Sequence, residues 1–262
     1  MSAPRDIVVV GSGIQGASVA YHLSRSSSLP PKSSITLLES QGPASAASGK
    51  GGGFMARSWG SGPTTQLHEL SFDLYETLCE QLRVESYRKL PVLSVAPGSS
   101  TTKAAPPQLA QAGILPNWLD GAVGRISPLG LGDDTAQVTP KEFVDKMLDS
   151  MTSSGGVKLI LGTCTGVDYR EEDDGSRSVT AVRYTHEDQA HTLPASDVIV
   201  SAGPWSCQAQ DWFDNAVQLP MEGVKSTSIV WKPPVDENGN AKPVDATALF
   251  CGEDHRFGTH RK

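Results

Sequence analysis

The sequence predicts an α/β fold: a parallel sheet covered by helices, joined to a second part whose strands are mostly antiparallel. Three observations predict it. Near the N-terminus the run Ile7, Val8, Val9, Val10 enters a glycine turn, and a helical pattern leaves it. A second apolar run, Ile35, Thr36, Leu37, Leu38, closes on the acid Glu39. A third, Val198, Ile199, Val200, reaches another small-residue turn at Ala202 and Gly203. Short, β-branched runs with helical patterns between them are the signature of buried parallel strands.

The first turn reads Gly11, Ser12, Gly13, Ile14, Gln15, Gly16. Strand, G-x-G-x-x-G, helix, second strand and terminal acid stand in the order of a dinucleotide-binding fingerprint. Each part has a physical task. Gly11 permits the tight turn, Gly13 lets a pyrophosphate approach the backbone, and Gly16 lets the helix pack close to its strand. Ile14 and Gln15 open the helix, whose free N–H groups and positive dipole end favour phosphate. The Glu39 carboxylate can accept from ribose 2′- and 3′-hydroxyls, and it would repel a 2′-phosphate, which argues against NADP. The fingerprint alone does not separate FAD from NAD.

A chain of 262 residues can bury a sizeable core as one large domain or two modest ones. The formal net charge of −7 implies no basic face for nucleic acid. No apolar run approaches the roughly 18 residues needed to span a bilayer. Residues 1–5 run straight into the first strand, leaving no room for a secretory signal, and a cytosolic location is expected. Cys79, Cys164, Cys207 and Cys251 fit no zinc spacing or disulfide framework, so reduced and mostly buried thiols are expected.

Along the chain, the first helix should end near Arg25, before a loop containing Pro30 and Pro31. Residues 41–54 are small and glycine-dense with one cation, Lys50. Their position directly after Glu39 favours a cofactor-lining loop over a flexible linker. Leu67, Leu70, Leu74, Leu78 and Leu82 recur at helical spacing, with His68 as a surface histidine of that helix. Residues 87–95 read as a strand of the second sheet. Residues 96–135 are rich in Pro, Gly and Ser, with a short helix or lid at 115–119. Thr139, Pro140 and Glu142 read as N-cap, first turn and capping box of a helix whose apolar face carries Met147, Leu148 and Met151. Gly155 and Gly156 end it. Strands follow at 157–161, 179–184 and around 191–193, with an acidic, solvated hairpin tip at 171–175. Residues 225–231 alternate as a half-buried antiparallel strand does.

These segments resemble the D-amino-acid oxidase-type flavoproteins, a family of amine- and amino-acid-oxidising FAD enzymes. The carrying motifs are Glu39 and Ser40 at the strand end, then Ala46, Ala47, Ser48, Gly49, Lys50, Gly51, Gly52, Gly53, and later Ala202, Gly203, Pro204, Trp205, Ser206. Residues 137–140 resemble the same family's helix start. Within the family the chain is similar to fungal FAD oxidoreductases associated with endosome-to-Golgi trafficking. The resemblance implies an FAD-binding Rossmann-like domain at residues 1–85 and 135–220. It implies an incomplete, mostly antiparallel substrate domain at 86–134 and 221–262. It also implies that Ser40, Ser48, Gly49, Lys50, Gly52 and Gly53 join Gly11, Gly13, Ile14, Gln15, Gly16 and Glu39 around FAD. Ala202, Gly203 and Trp205 would lie against the diphosphate, and Thr165 or Cys164 would meet the adenine. The implied substrate is a small amine or amino acid, and the implied location is peripheral to endosomes.

Members of the family continue past Phe257 and His260 into a further strand and a return to the FAD domain, so this chain is expected to be C-terminally truncated. No residue is assigned as a catalytic base, and no metal constellation stands out. Two other readings stay open on the sequence. One is an NAD-dependent dehydrogenase, against which the loop at 48–53 and the turn at 202–206 both argue. The other is a flavin-binding trafficking or interaction protein without turnover.

Overall fold

The computed structural model describes residues 3–97, 115, 116, 118, 119, 123–215 and 218–251. The chain divides into two compact units. The first takes Met1–Gly52, Leu82–Val84 and Thr139–Ser228, and the second takes Gly53–Gln81, Glu85–Val138 and Ile229–Lys262.

The first unit is built on β1 (Asp6–Val10), α1 (Ile14–Ser24), β2 (Ser34–Glu39) and the single turn α2 (Ala47–Lys50). From the later chain it adds α4 (Pro140–Ser153), β8 (Lys158–Leu161), β9 (Thr163–Glu171), β10 (Arg177–His186), β11 (Gln189–Pro194), β12 (Asp197–Val200) and α5 (Ala209–Trp212). One sheet has the order β12-β1-β2-β8. All its pairings are parallel, with Val8 opposite Val198 and Thr36. The three apolar runs are therefore adjacent parallel strands, as their sequence predicts.

Side chains alternate across this sheet. Val8, Val10 and Leu38 join Cys164, Val167, Val182 and Trp212 in one core, formed with the antiparallel meander β9-β10-β11. Helix α1 contacts β1, β2 and α4. Ala17, Ala20 and Tyr21 of α1 are buried, as are Phe143, Val144, Met147, Leu148 and Met151 of α4. Arg25 lies 3.6 Å above the Tyr21 ring and donates to Ser150 Oγ at 2.8 Å. Thr139 is the N-cap and Pro140 the first residue of α4, but the Thr139 side chain makes no cap hydrogen bond, so that half of the expected capping box is not formed. The acidic turn is an exposed hairpin tip closed by Gly175 N–H to the Glu172 carbonyl, with Gly175 at φ +79°.

The second unit contains β3 (Phe54–Ala56), α3 (Thr65–Gln81), β4 (Arg88–Lys89), β5 (Val92–Pro97), β6 (Val123–Gly130), β7 (Thr135–Gln137) and β13 (Ala248–Cys251). They form two small sheets, β3-β7-β4 and β13-β5-β6, antiparallel except for β13 against β5. Several expectations are corrected here. The strand expected at 87–95 is two strands in different sheets, because Pro91 between them has no N–H to continue a ladder. Strand β6 lies within the stretch read as irregular. It tolerates Pro128 because it is a sheet edge and bulges there. Residues 225–231 form no strand, and Ile229, Val230 and Trp231 are exposed. Alternation makes a strand only where a partner edge supplies hydrogen bonds, and the described residues supply none to it. Helix α3 forms, but its leucine stripe is buried only toward its C-terminal end, at Leu78. Leu67 and Leu70 are 61% and 57% exposed, while Phe72, Leu78 and Cys79 are buried. Of the cysteines, Cys79 and Cys164 are buried, Cys207 is half-buried and Cys251 exposed, all as free thiols. The tail beyond residue 251 lies outside the described residues.

These burials set a stability contrast. Met147→Ala, at a fully enclosed position, is expected to cost about 2–5 kcal/mol. Leu67→Ala should change stability by no more than about 0.5 kcal/mol. Chemical denaturation of both variants checks it.

Candidate cofactor site

The site lies in the first unit, where β1, β2 and β12 all end. Gly11 takes φ +103°, a conformation open to glycine at little cost. Its N–H donates to the Leu38 carbonyl at 2.8 Å, which ties the turn to β2. A Cβ on Gly11 would collide with the Ser201 carbonyl just past β12. A Cβ on Gly16 would collide with the Gly11 carbonyl itself. At Gly13 a Cβ would meet only the Ser48 hydroxyl, at 2.8 Å. Gly11 and Gly16 are thus pressed against backbone, whereas Gly13 faces a side chain that can turn away.

Helix α1 opens above this turn. Its first N–H groups have no intrahelical carbonyl to reach. The Ile14 N–H donates to Ser48 Oγ at 3.0 Å, and Gln15 is exposed beside it. The loop carrying Ser48 is anchored by Ala44 N–H to the Ser12 carbonyl at 3.2 Å. Ala44 takes φ +50°, and its carbonyl is so near Gly49 that a Cβ there would collide with it. The glycine-dense stretch is therefore folded against the first turn and contains one helical turn. Lys50 and Gly52 are exposed on it. Gly53, at φ +68°, belongs to the second unit and precedes β3.

Glu39 is 8% exposed and its carboxylate is held from two sides. Oε2 accepts from Ser12 N–H at 2.8 Å and Ser12 Oγ at 2.9 Å. Oε1 accepts from Gln41 N–H at 2.9 Å, with Gly42 N–H at 3.3 Å and Ser40 Oγ at 3.5 Å. Burial pushes this carboxyl up, but the hydrogen bonds from Gln41, Ser12 and Gly42 together bring it below the ordinary glutamate value. The group is an anion at neutral pH, able to accept further donors.

The remaining expected residues lie around this centre. Ala202 follows Ser201, and its Cα would lie 3.2 Å from a Cβ on Gly11. Gly203 takes φ +56° with open space around it, and Trp205 is 50% exposed on the turn that follows. The Gly162 N–H donates to the Glu39 main-chain carbonyl at 2.8 Å, so β9 starts beside the end of β2. Within β9 the register steps from Gly166 to Cys164, which leaves Thr165 as the extra residue of a bulge. Thr165 is exposed, while Cys164 points into the core, its thiol pushed up to about 11 by burial. The structure thus gathers Gly11, Gly13, Ile14, Gly16, Glu39, Ser48, Gly49 and Ala202 closely. Lys50, Gly52, Gly203 and Trp205 are exposed on the loops that adjoin them, and Thr165 is exposed on β9. Ser12 was missed by sequence reasoning, since it occupies a variable position of the fingerprint. Its signal was a small hydroxyl residue beside the turn's first glycine with an acid at the next strand's end.

A dinucleotide fits this arrangement on two observations: a cradle that side chains would fill, and an ionised carboxylate at the strand end. Comparison with known proteins bears on which one. The sequence pattern of the DAO family, described as FAD dependent oxidoreductase, matches residues 6–260. A protein of Schizosaccharomyces pombe named as an oxidoreductase, C1F5.03c, is 31% identical over 256 residues. The alignment covers 92% of this chain and 64% of that protein, so the chain spans less than two thirds of its relative's length. Among solved structures, L-proline dehydrogenase from P. horikoshii matches with a TM-score of 0.65 at 14% identity, covering 95% of this chain and 65% of that one. Glycine oxidase from Bacillus cereus matches with a TM-score of 0.58 at 17% identity, covering 80% and 58%. These likenesses show a shared fold.

Two predictions follow from the geometry. Gly16→Ala, forced against backbone, should cost about 1–3 kcal/mol or more, whereas Gly13→Ala, which displaces only the Ser48 hydroxyl from the Ile14 N–H, should cost less, about 0.5–1.5 kcal/mol in a thermal melt. Glu39 contributes stability that is fully present above its unfolded-state pKa and is lost as pH falls through its lower folded-state value. Glu39→Gln should therefore melt lower than the unaltered chain at pH 7, and the gap should narrow in acid.

Proposed function

We propose that this chain, which belongs to the DAO family of FAD dependent oxidoreductases, binds FAD in its first unit and serves the oxidation of an amine or amino-acid C–N bond. The observation that carries the reading is the Glu39 carboxylate pinned beside a glycine cradle at the start of α1. FAD is the cofactor of the family, and when bound it supplies a two-electron acceptor. The protein's part is to hold and orient it. Glu39 accepts from the adenosine ribose. Gly11, Gly13 and Gly16 let the diphosphate approach the backbone, and Ile14 and Gln15 open the helix whose dipole faces it. Ser48, Gly49, Lys50 and Gly52 line the path toward the flavin, with Lys50 as the cation. Ala202, Gly203 and Trp205 close the diphosphate from the β12 side, Ser40 stands at the ribose, and Thr165 marks the adenine end.

Similarity to proteins named for glycine and L-proline supports a small amine or amino acid as substrate. Among the described residues no helix is long and apolar enough to cross a membrane. Peripheral endosomal association belongs to the same proposal and is supported by the resemblance to the fungal group.

The purified chain is expected to take up FAD, seen as a flavin absorbance spectrum and as FAD released on denaturation. Gly13→Val should remove that uptake, because its side chain would occupy the approach of the diphosphate. Full flavin content in the Gly13→Val protein would overturn the site, and failure of the unaltered chain to bind FAD would overturn the function.

A further inference from the structure

An ionised carboxylate offers about four acceptor positions, two on each oxygen. In Glu39 the two oxygens are unequally satisfied. Oε2 takes two short bonds from a single residue, Ser12 N–H at 2.8 Å and Ser12 Oγ at 2.9 Å. Oε1 takes one short bond, from Gln41 N–H at 2.9 Å. Its other contacts, Gly42 N–H at 3.3 Å and Ser40 Oγ at 3.5 Å, are long. Ser12 is fully buried, so its hydroxyl has no water to exchange with. Two donors from one residue, one on rigid backbone, fix the position of Oε2, and the Gln41 N–H on Oε1 sets the plane of the group. Donors to charged acceptors are the stronger class of hydrogen bond.

We infer that Ser12 is a positioning residue for nucleotide recognition: its hydroxyl and N–H clamp Oε2 of Glu39 and so present Oε1 to the cis-diol of an adenosine ribose. The inference rests on the nucleotide reading above and adds to it a residue outside the glycine fingerprint. The surroundings leave this role to hydrogen bonding alone. The glycine turn contributes Ser12, the segment after β2 contributes Ser40, Gln41 and Gly42, and β8 sets Leu161 opposite Glu39. Cys164 of neighbouring β9 stays a neutral thiol. No charged side chain is among the causes that set the carboxyl's ionisation. The clamp acts on the diol and not on the rest of the nucleotide. It should therefore govern discrimination between nucleotides with and without the hydroxyls.

The probes are ADP and 2′,3′-dideoxy-ADP, titrated calorimetrically into the 262-residue chain. The unaltered protein should prefer ADP by about tenfold or more, the scale of a hydrogen bond to a charged group. Ser12→Ala should lose most of that preference, while its affinity for 2′,3′-dideoxy-ADP changes by less than about twofold. Ser12→Cys, close in volume but a weak donor, should behave like Ser12→Ala and serves if the alanine variant does not fold. A merely structural role would weaken both ligands together and leave their ratio intact. Normal ADP binding with an unchanged ratio in a folded variant would overturn the role of Ser12 alone. No ADP binding by the unaltered chain would overturn the nucleotide reading and this inference with it.

Discussion

The first unit depends on how closely the backbone packs at Gly11. That residue touches three strands and a helix at once. It ends β1, its N–H bonds to the last carbonyl but one of β2, the Ser201 carbonyl beyond β12 fills the space of its absent Cβ, and its own carbonyl abuts Gly16 in α1. A parallel sheet brings the C-terminal ends of its strands to one edge, and a ligand crevice forms there only if the connecting turns stay thin. Gly11 and Gly16 keep this turn one backbone thick. Their replacement would disturb the sheet before it disturbed a ligand. Gly13, which faces only the Ser48 side chain, stands apart as the glycine not pressed against backbone.

Thin turns leave polar groups to satisfy, and the loop after β2 does so with local partners. The Ser12 carbonyl takes the Ala44 N–H, Ser48 caps Ile14, and the Glu39 carboxylate collects donors from Ser12, Gln41 and Gly42. A buried carboxylate without partners would be costly. This one is held ionised by donors that the fold supplies anyway, so the charge is ready before a ligand arrives. Pre-positioned charge of this kind spares a ligand the cost of ordering it.

Local pattern explains how much of this was legible. The β1-α1-β2 unit is specified within residues 6–39 by apolar runs, glycines and an acid, and it forms as the sequence implies. The run at 197–200 was assignable to the same sheet because a buried parallel strand is apolar on both faces. Elements whose state depends on distant partners were harder. Leu67, Leu70 and Leu74 share a helix face, but spacing does not say what covers that face, and in the structure they are exposed. Residues 225–231 alternate without finding an edge. Strand β6 was hidden by Pro128 and Gly130, residues a sheet edge accepts and a sequence pattern reads as a loop. Ser12 was hidden for a different reason. A hydroxyl at a variable position has no meaning until folding sets it against Glu39.

The two turns that meet at this edge differ in what they can do. The β1–α1 turn carries a helix of eleven residues, whose dipole presents its positive end at this edge. The turn after β12 leads into a 3₁₀ segment, Gly203–Gln208, and then the single turn of α5, which offers little dipole. Its contribution is the small profile of Ala202 and Gly203 and the half-exposed face of Trp205. For the proposed diphosphate, the electrostatic pull would therefore come from the β1–α1 side, while the β12 side would shape the space. Under the proposed function, that asymmetry assigns the anion-binding role to the first forty residues, next to the Glu39 carboxylate.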